Sequence, residues 1–223
     1  MERLTIEVGS YEVNCSILSA DGRAWIVDPG QEGARILALL AQKGLEPAGV
    51  LLTHAHFDHV SAIPALQAAY PDLPVYIHPA DTPMFGHPLN QCGAEYPSIG
   101  TPKNVRAVND LPAALPGLQV LHTPGHTPGG VCFYFPPDPS TNPSTNPNTQ
   151  TPKHPNTPSP LLLSGDTLFA GSCGRTDFPG GSMSQMMASL RRLAALPDDT
   201  LVVPGHGMYT TIGREKDGDP YMI

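Results

Sequence analysis

The sequence predicts an α/β chain in which two β-sheets pack face to face with helices on their outer sides, a four-layer αββα sandwich. Three observations lead there. Strand-like apolar runs and amphipathic helix-like runs alternate in two blocks along the 223 residues. The two blocks have a similar make-up, so each supplies one sheet with its covering helices. Metal-binding side chains stand at the ends of several apolar runs, where strands lying side by side would bring them together.

In the first block, alternating runs give strands at 3–8, 13–19 and 24–28, and Asp21-Gly22 turns the second into the third as a hairpin. Asp28-Pro29-Gly30 ends the third strand. Ala34, Ile36, Leu37, Leu39 and Leu40 then form a helical stripe that stops near Gly44. A strand at 48–52 follows. From Asp58 to Tyr70, Val60, Ile63, Leu66 and Ala69 predict one helix with a buried face, its start made irregular by Pro64. Val75-Tyr76-Ile77-His78 reads as a short strand, and 79–103, rich in Pro and Gly, as a loop region with one helical turn.

The second block holds strands near 118–122, 130–135, 161–164 and 200–203, and a helix from Ser184 to Leu196 carrying Met187, Leu190, Leu193 and Ala194. Residues 136–160 break the pattern. They contain nine prolines and a tandem Ser-Thr-Asn-Pro repeat at 140–147, with hardly any apolar side chains, which predicts a disordered, expanded hairpin loop. Limited proteolysis is expected to cut there first.

A chain of 223 residues at 40% hydrophobic content can bury one substantial core, so a single domain over 1–223 is expected. Net charge is -8, from 12 Lys plus Arg against 20 Asp plus Glu, which argues against a nucleic-acid partner. No run reaches the roughly 18 apolar residues of a membrane span, and the N-terminus lacks a basic segment followed by an apolar one. The four cysteines, at 15, 92, 132 and 173, have no paired spacing, which fits reduced thiols and a cytoplasmic protein.

The chemistry starts at Thr53-His54-Ala55-His56-Phe57-Asp58-His59, four metal-binding side chains within six positions after the apolar Val50-Leu51-Leu52. Alternate residues of an extended segment share a face. His54 and His56 therefore suit one ion, and Asp58 and His59, where the chain turns into a helix, suit a neighbouring one. A structural zinc site would normally close with thiolates; with no Cys in the segment, an open, water-bearing site fits better. His126 in Pro-Gly-His-Thr-Pro-Gly, Asp166 after Leu163-Ser164-Gly165 and His206 in Pro-Gly-His-Gly are three more candidates, each behind a strand-like run and a glycine that permits close backbone approach.

Taken together, His54-x-His56-x-Asp58-His59, His126, Asp166 and His206 resemble the metallo-β-lactamase superfamily over nearly the whole chain, which implies that fold with a metal site at strand ends between the sheets. The resemblance implies that His54, His56 and His126 hold one divalent metal, that Asp58, His59 and His206 hold the other, and that Asp166 bridges them. Zinc is the expected metal, and iron or manganese suits the same donors. Gly165-Asp166-Thr167-Leu168-Phe169 and Gly174-Arg175-Thr176-Asp177-Phe178-Pro179-Gly180-Gly181 are similar to the glyoxalase II-like branch, which implies hydrolysis of a small thioester. There, a hydroxide between the two metals, available at neutral pH, attacks the carbonyl, and Asp58 orients it or relays its proton as well as ligating. The chain ends 17 residues after His206, so the helical domain that makes most glutathione contacts in two-domain members is expected to be absent.

Around the site, Asp28, Thr53 and Asp177 are candidates to hydrogen-bond ligand imidazoles. Arg175 is a candidate to bind a substrate carboxylate or to lock its loop through Asp177. His78, His87, His122 and His154 have no ligand-like context. Cys173-Gly174-Arg175-Thr176-Asp177-Phe178 is also similar to persulfide dioxygenases, which would hold one iron on His54, His126 and Asp166; lactone hydrolysis on the same fold is a further alternative.

Overall fold

A computed structural model describes residues 1–111, 115, 117–137, 160–218 and 221–222. The Pro-rich loop predicted at 136–160 lies almost wholly outside the described residues. Two main sheets carry the architecture. The first runs in the order β1 (Glu2–Val8), β2 (Val13–Ala20), β3 (Arg23–Val27), β4 (Glu46–Leu51), β5 (Val75–Ile77), β6 (Val105–Ala107). Its first three strands are antiparallel and β3 to β6 are parallel. The β2–β3 hairpin turns at Asp21 and Gly22, both at positive φ, as a tight turn between twisted strands requires.

The second sheet has the order β13 (Thr210–Thr211), β12 (Leu201–Pro204), β9 (Leu161–Gly165), β8 (Val131–Phe135), β7 (Gln119–His122). Strands β12 and β9 are parallel and the other pairs antiparallel. A small ribbon, β10 (Leu168–Phe169) with β11 (Ser172–Cys173), stands apart.

Strand alternation sorts the apolar side chains into three packed layers. Trp25 and Val27 of β3 meet Phe133 and Phe135 of β8 and Leu163 of β9 between the sheets. Ala24 and Ile26, on the other face of β3, pack under α1 (Gly33–Lys43) and α3 (Ile63–Ala69) through Ile36, Leu40, Ile63 and Leu66. Cys132, Leu162 and Val202, on the outer face of the second sheet, pack under α4 (Met183–Ala194) and α5 (Ile212–Gly218) through Met186, Leu190, Leu193 and Ile212. Helix, sheet, sheet, helix is the layering the sequence predicts.

Two helices depart from expectation. The single helix predicted from Asp58 to Tyr70 is split into α2 (Phe57–Val60) and α3. Pro64 has no N–H to donate to the carbonyl four residues back, and its ring would collide with that carbonyl, so the chain restarts with Pro64 in the first turn of α3. The Ala62 N–H turns instead to Pro29 O at 3.1 Å. In α4 the buried stripe is Met186, Ser189, Leu190 and Leu193, whereas the predicted Met187 and Ala194 are only partly buried. Its start is set by Ser182, whose hydroxyl accepts the Gln185 N–H.

Among the described residues, which include all four cysteines, there is no disulfide. No described helix is long and apolar enough to cross a membrane.

Candidate metal centre

All seven predicted ligands meet in one place, at the mouth between the two sheets. His54 and His56 come from the turn that follows β4, and Asp58 and His59 from α2 directly after it. His126 comes from the β7–β8 connection, Asp166 from the end of β9 and His206 from the end of β12. His54, His56 and His126 offer ring nitrogens within 4.8 Å of one another, and so do Asp58, His59 and His206 with their donor atoms. A third grouping, His54, His59 and Asp166, straddles these two. Asp166 reaches both trios: its Oδ1 lies 3.3 Å from His59 Nε2, and its Oδ2 lies 3.5 Å from His126 Nε2 and 3.7 Å from His206 Nε2. Asp58 Oδ2 lies 3.2 Å from His206 Nε2.

The backbone behind the ligands sets which imidazole nitrogen faces the centre. Asp28, at the end of β3 with φ 49°, accepts the Thr53 N–H at 2.8 Å on Oδ1 and the Thr53 hydroxyl at 2.7 Å on Oδ2. With its proton given to Asp28, the Thr53 oxygen is an acceptor for His54 Nδ1–H, 3.0 Å away. Nε2 of His54 then carries the lone pair. That nitrogen is buried and has no hydrogen-bond partner among the described residues. His126 Nδ1–H donates to Arg175 O and His206 Nδ1–H to Tyr11 O, both at 2.7 Å, so in the neutral form of each ring the Nε2 lone pair faces inward. His59 Nδ1 lies 3.2 Å from Asp28 Oδ2.

His56 turns its Nδ1 inward, 2.8 Å from His126 Nε2. Two imidazole lone pairs so close repel unless a proton or a cation lies between them, and the orphaned Nε2 of His54 completes that trio. The donor set thus fits divalent cations. Crowding leaves no room for a side chain beside it: a Cβ at Gly205 would overlap Asp166 Oδ1 and come within 2.8 Å of His59 Cε1.

Electrostatics divide the two trios. Burial, reinforced by neighbouring imidazoles, pushes His54 well below the ordinary histidine range and His56 down to about 3. Burial acts the same way on His59, but Asp166 and Asp58 outweigh it and hold His59 well above that range. His206 is likewise raised, burial being outweighed by Asp58 and Asp166. Both carboxyls are held below their usual range by the facing imidazoles despite burial. Without metal, the first trio keeps His54 and His56 neutral and the second holds ion pairs.

Of the three side chains predicted to bond ligand imidazoles, Thr53 does so, Asp28 faces His59 as an ion pair and acts on His54 through Thr53, and Asp177 does neither. Asp177 instead closes a two-pronged pair on Arg175, with Nε to Oδ1 and Nη2 to Oδ2 both at 2.7 Å. Arg175 also lies over the Phe178 ring, 3.9 Å from its centroid. Its backbone carbonyl, not its neighbour's carboxylate, orients His126. Sequence reasoning also missed Asn90, which accepts the Phe57 N–H at 2.8 Å and donates to Ala55 O at 2.7 Å, bracing the ligand turn. Nothing in the featureless 79–103 stretch marks it. His78 and His122 stack on one another 4.2 Å apart, and with His87 they stand outside every metal-binding grouping; His154 lies outside the described residues.

A cavity of about 540 Å³ opens over the centre, walled by Tyr11, Phe57, Leu89, Phe169 and Phe178 on its apolar side. The family model of the metallo-β-lactamase superfamily matches residues 8–139 and 159–206. The chain belongs to the metallo-β-lactamase superfamily. The family match, the clustered His and Asp donors and its metallo-hydrolase relatives place it among the metallo-hydrolases of that superfamily. It is 33% identical to a probable metallo-hydrolase, YqgX, of Bacillus subtilis, over 96% of this chain and 94% of that one. It is 31% identical to the hydroxyacylglutathione hydrolase GloC of Haemophilus influenzae, over 97% and 96%. The crystal structure of TTHA1623 in a di-iron-bound form superposes with a TM-score of 0.78 at 37% identity, covering 98% of this chain and 99% of that one.

Proposed function

We propose that this superfamily member hydrolyses small thioesters in the manner of a hydroxyacylglutathione hydrolase, with two divalent cations. The observation that carries the reading is the pair of trios joined by Asp166, whose carboxylate faces His126 of the first and His59 and His206 of the second. His54, His56 and His126 would hold one cation and Asp58, His59 and His206 the other, with Asp166 shared. Bound there, the cations supply Lewis acidity and lower the pKa of a water toward about 7. Zinc suits these donors, as do iron and manganese, and the likeness to a di-iron protein keeps iron in play.

The chain's own groups do the rest. Asp58 stands on the cavity wall with Oδ2 beside His206, placed to accept a hydrogen bond from the attacking group and orient it. Tyr11 and Phe57, ring centroids 5.4 Å apart, give the substrate an apolar face and keep water off the reacting carbonyl. A thiolate leaves without general-acid help, so the cavity needs no dedicated acid. Arg175 lines the same cavity, and a substrate carboxylate would have to compete with Asp177 for its guanidinium. The likeness to GloC supports a thioester as the substrate.

The test joins metal analysis to a panel of thioester, lactone and glutathione persulfide substrates. Two metals per chain and thioester cleavage are expected, and His206→Ala should lose one metal and about 10²–10³-fold in kcat, the several kcal/mol a Lewis acid contributes. A single iron, oxygen uptake on the persulfide and an unaffected His206→Ala variant would instead make the chain a dioxygenase working on His54, His126 and Asp166. Cleavage of the lactone alone would move the substrate class.

A further inference from the structure

We propose that Asp81 is the positioning residue of the first trio, a carboxylate that locks together the two loops bearing His54, His56 and His126. This inference rests on the metal reading above. Asp81 sits in the 3-10 turn Pro79–Met84 after β5 and is fully buried. It belongs to the first sheet's side of the molecule, yet it binds the second sheet's loop. Its Oδ2 accepts the Thr127 hydroxyl at 2.7 Å and its Oδ1 accepts the Gly129 N–H at 2.6 Å. Burial raises the pKa of this carboxyl, and against it the Ala55 N–H favours the ionised form, as do Thr127 and Gly129.

These donors sit beside the ligands in the chain. Ala55 separates His54 from His56, and Thr127 follows His126 directly. One side chain therefore fixes the backbone on both sides of the 2.8 Å contact between His56 Nδ1 and His126 Nε2. Asn90, from the same segment, holds the Ala55 carbonyl, so both backbone groups of that residue are tied. The approach is close enough to exclude a side chain, since a Cβ at Gly129 would stand 2.6 Å from Asp81 Oδ1 and 2.8 Å from its N. A carboxylate that only accepts can serve three donors at once. An amide of the same shape has one accepting oxygen, and its NH2 would face N–H or O–H donors. The second trio is tied differently, through Asp28 to His59 and through Tyr11 O to His206, so Asp81 should act on one site only.

The experiment titrates the metal-free full chain with Co(II), following the d–d absorption, and confirms each affinity by chelator competition. For Asp81→Asn, one of the two binding steps should weaken by about 10–100-fold, the range for partners that orient metal-binding histidines, with altered bands, and the other should stay within about threefold. Thr127→Val removes one of the three bonds and should weaken the same step by a smaller factor; it decides the matter if Asp81→Asn does not fold. Leu190→Ala, on the core face of α4, is a control that lowers stability without removing a hydrogen bond to either ligand loop. The proposal is overturned if Asp81→Asn behaves like Leu190→Ala, with a lower Tm and both binding steps intact, if both steps weaken equally, or if Thr127→Val leaves both steps unchanged. A wild-type chain that binds no Co(II) would sink the metal reading itself and this inference with it.

Discussion

His56 and His59 stand three positions apart and are pushed in opposite directions, one down to about 3 by burial and nearby imidazoles, the other up, against burial, by Asp166 and Asp58. The consequence for the metal-free protein can be worked out by sign. An unfolded histidine takes up its proton near pH 6.5, so the depressed His54 and His56 contribute stability above that pH and lose it as pH falls below. Asp58 and Asp166, also depressed, lose their contribution below about pH 4. The raised His59 and His206 gain stability until their unfolded counterparts are fully protonated, about one unit below pH 6.5, and contribute no opposing slope below that. The chelated protein should therefore lose stability steadily as pH falls from about 5.5 toward 3, by about 1.4 kcal/mol for each depressed group per pH unit at most. Urea denaturation across that range checks it, and a flat profile would contradict the assigned charge states. Metal binding carries its own signature. A cation entering the second trio at pH 7 should displace protons from His59 and His206, while His54 and His56 have none to give; calorimetry in buffers of different ionisation enthalpy counts them.

At the scale of elements, helix α1 meets α3 closely enough that a Cβ at Gly33 would stand 2.7 Å from the Cβ of Ala65. Two Cβ atoms cannot rotate apart, so Gly33→Ala must push the helices apart and cost about 1–3 kcal/mol, more than the gain of up to about 1 kcal/mol in helix propensity. Gly44, which ends α1 at φ 64° with nothing within 4 Å, makes the contrast: Gly44→Ala meets no neighbour, and its cost of about 1–2 kcal/mol comes from the backbone alone. Denaturant midpoints of the two variants separate crowding from conformation. The elements themselves were legible wherever the apolar period ran for a full strand or several turns, as in β2, β3, β8 and α1. Strands β6, β10, β11 and β13, of two or three residues, are too short to show an alternation, whereas the equally short β5 shows as the apolar run Val75-Tyr76-Ile77; α5 shows no apolar stripe. The site divides along the same line. Its seven candidate ligands announce themselves by residue type and position after apolar runs. Asp81, Asn90 and the carbonyls of Tyr11 and Arg175 do not, because a backbone oxygen has no sequence signature and a loop carboxylate looks like any other until its donors are known.

Over the whole molecule, each trio draws on both sheets: His126 joins His54 and His56, and His206 joins Asp58 and His59. Few backbone bonds span the same gap, among them Val131 N–H to Thr53 O and Asn14 N–H to Gly205 O, both at 2.8 Å. Asn14 adds its side-chain amide to Pro204 O and Gly207 O, each at 3.0 Å. Cations at the two trios would thus clip the halves of the sandwich together at its open end, while the Trp25 and Phe133 core holds them farther in. A ligand that binds only the folded state at 100 times its Kd adds about 2.7 kcal/mol per site. For a chain of this size each kcal/mol moves Tm by roughly 2–4 °C, so chelation should lower Tm by about 10–20 °C if both sites are saturated. His206→Ala, with one trio broken, should show about half of that drop, and hydrogen exchange should rise first around residues 124–128 and 204–207 rather than in β2 and β3. A chelated protein with the same Tm and the same exchange map would mean that the sheets are held by their core alone and that the centre serves chemistry without fastening the fold.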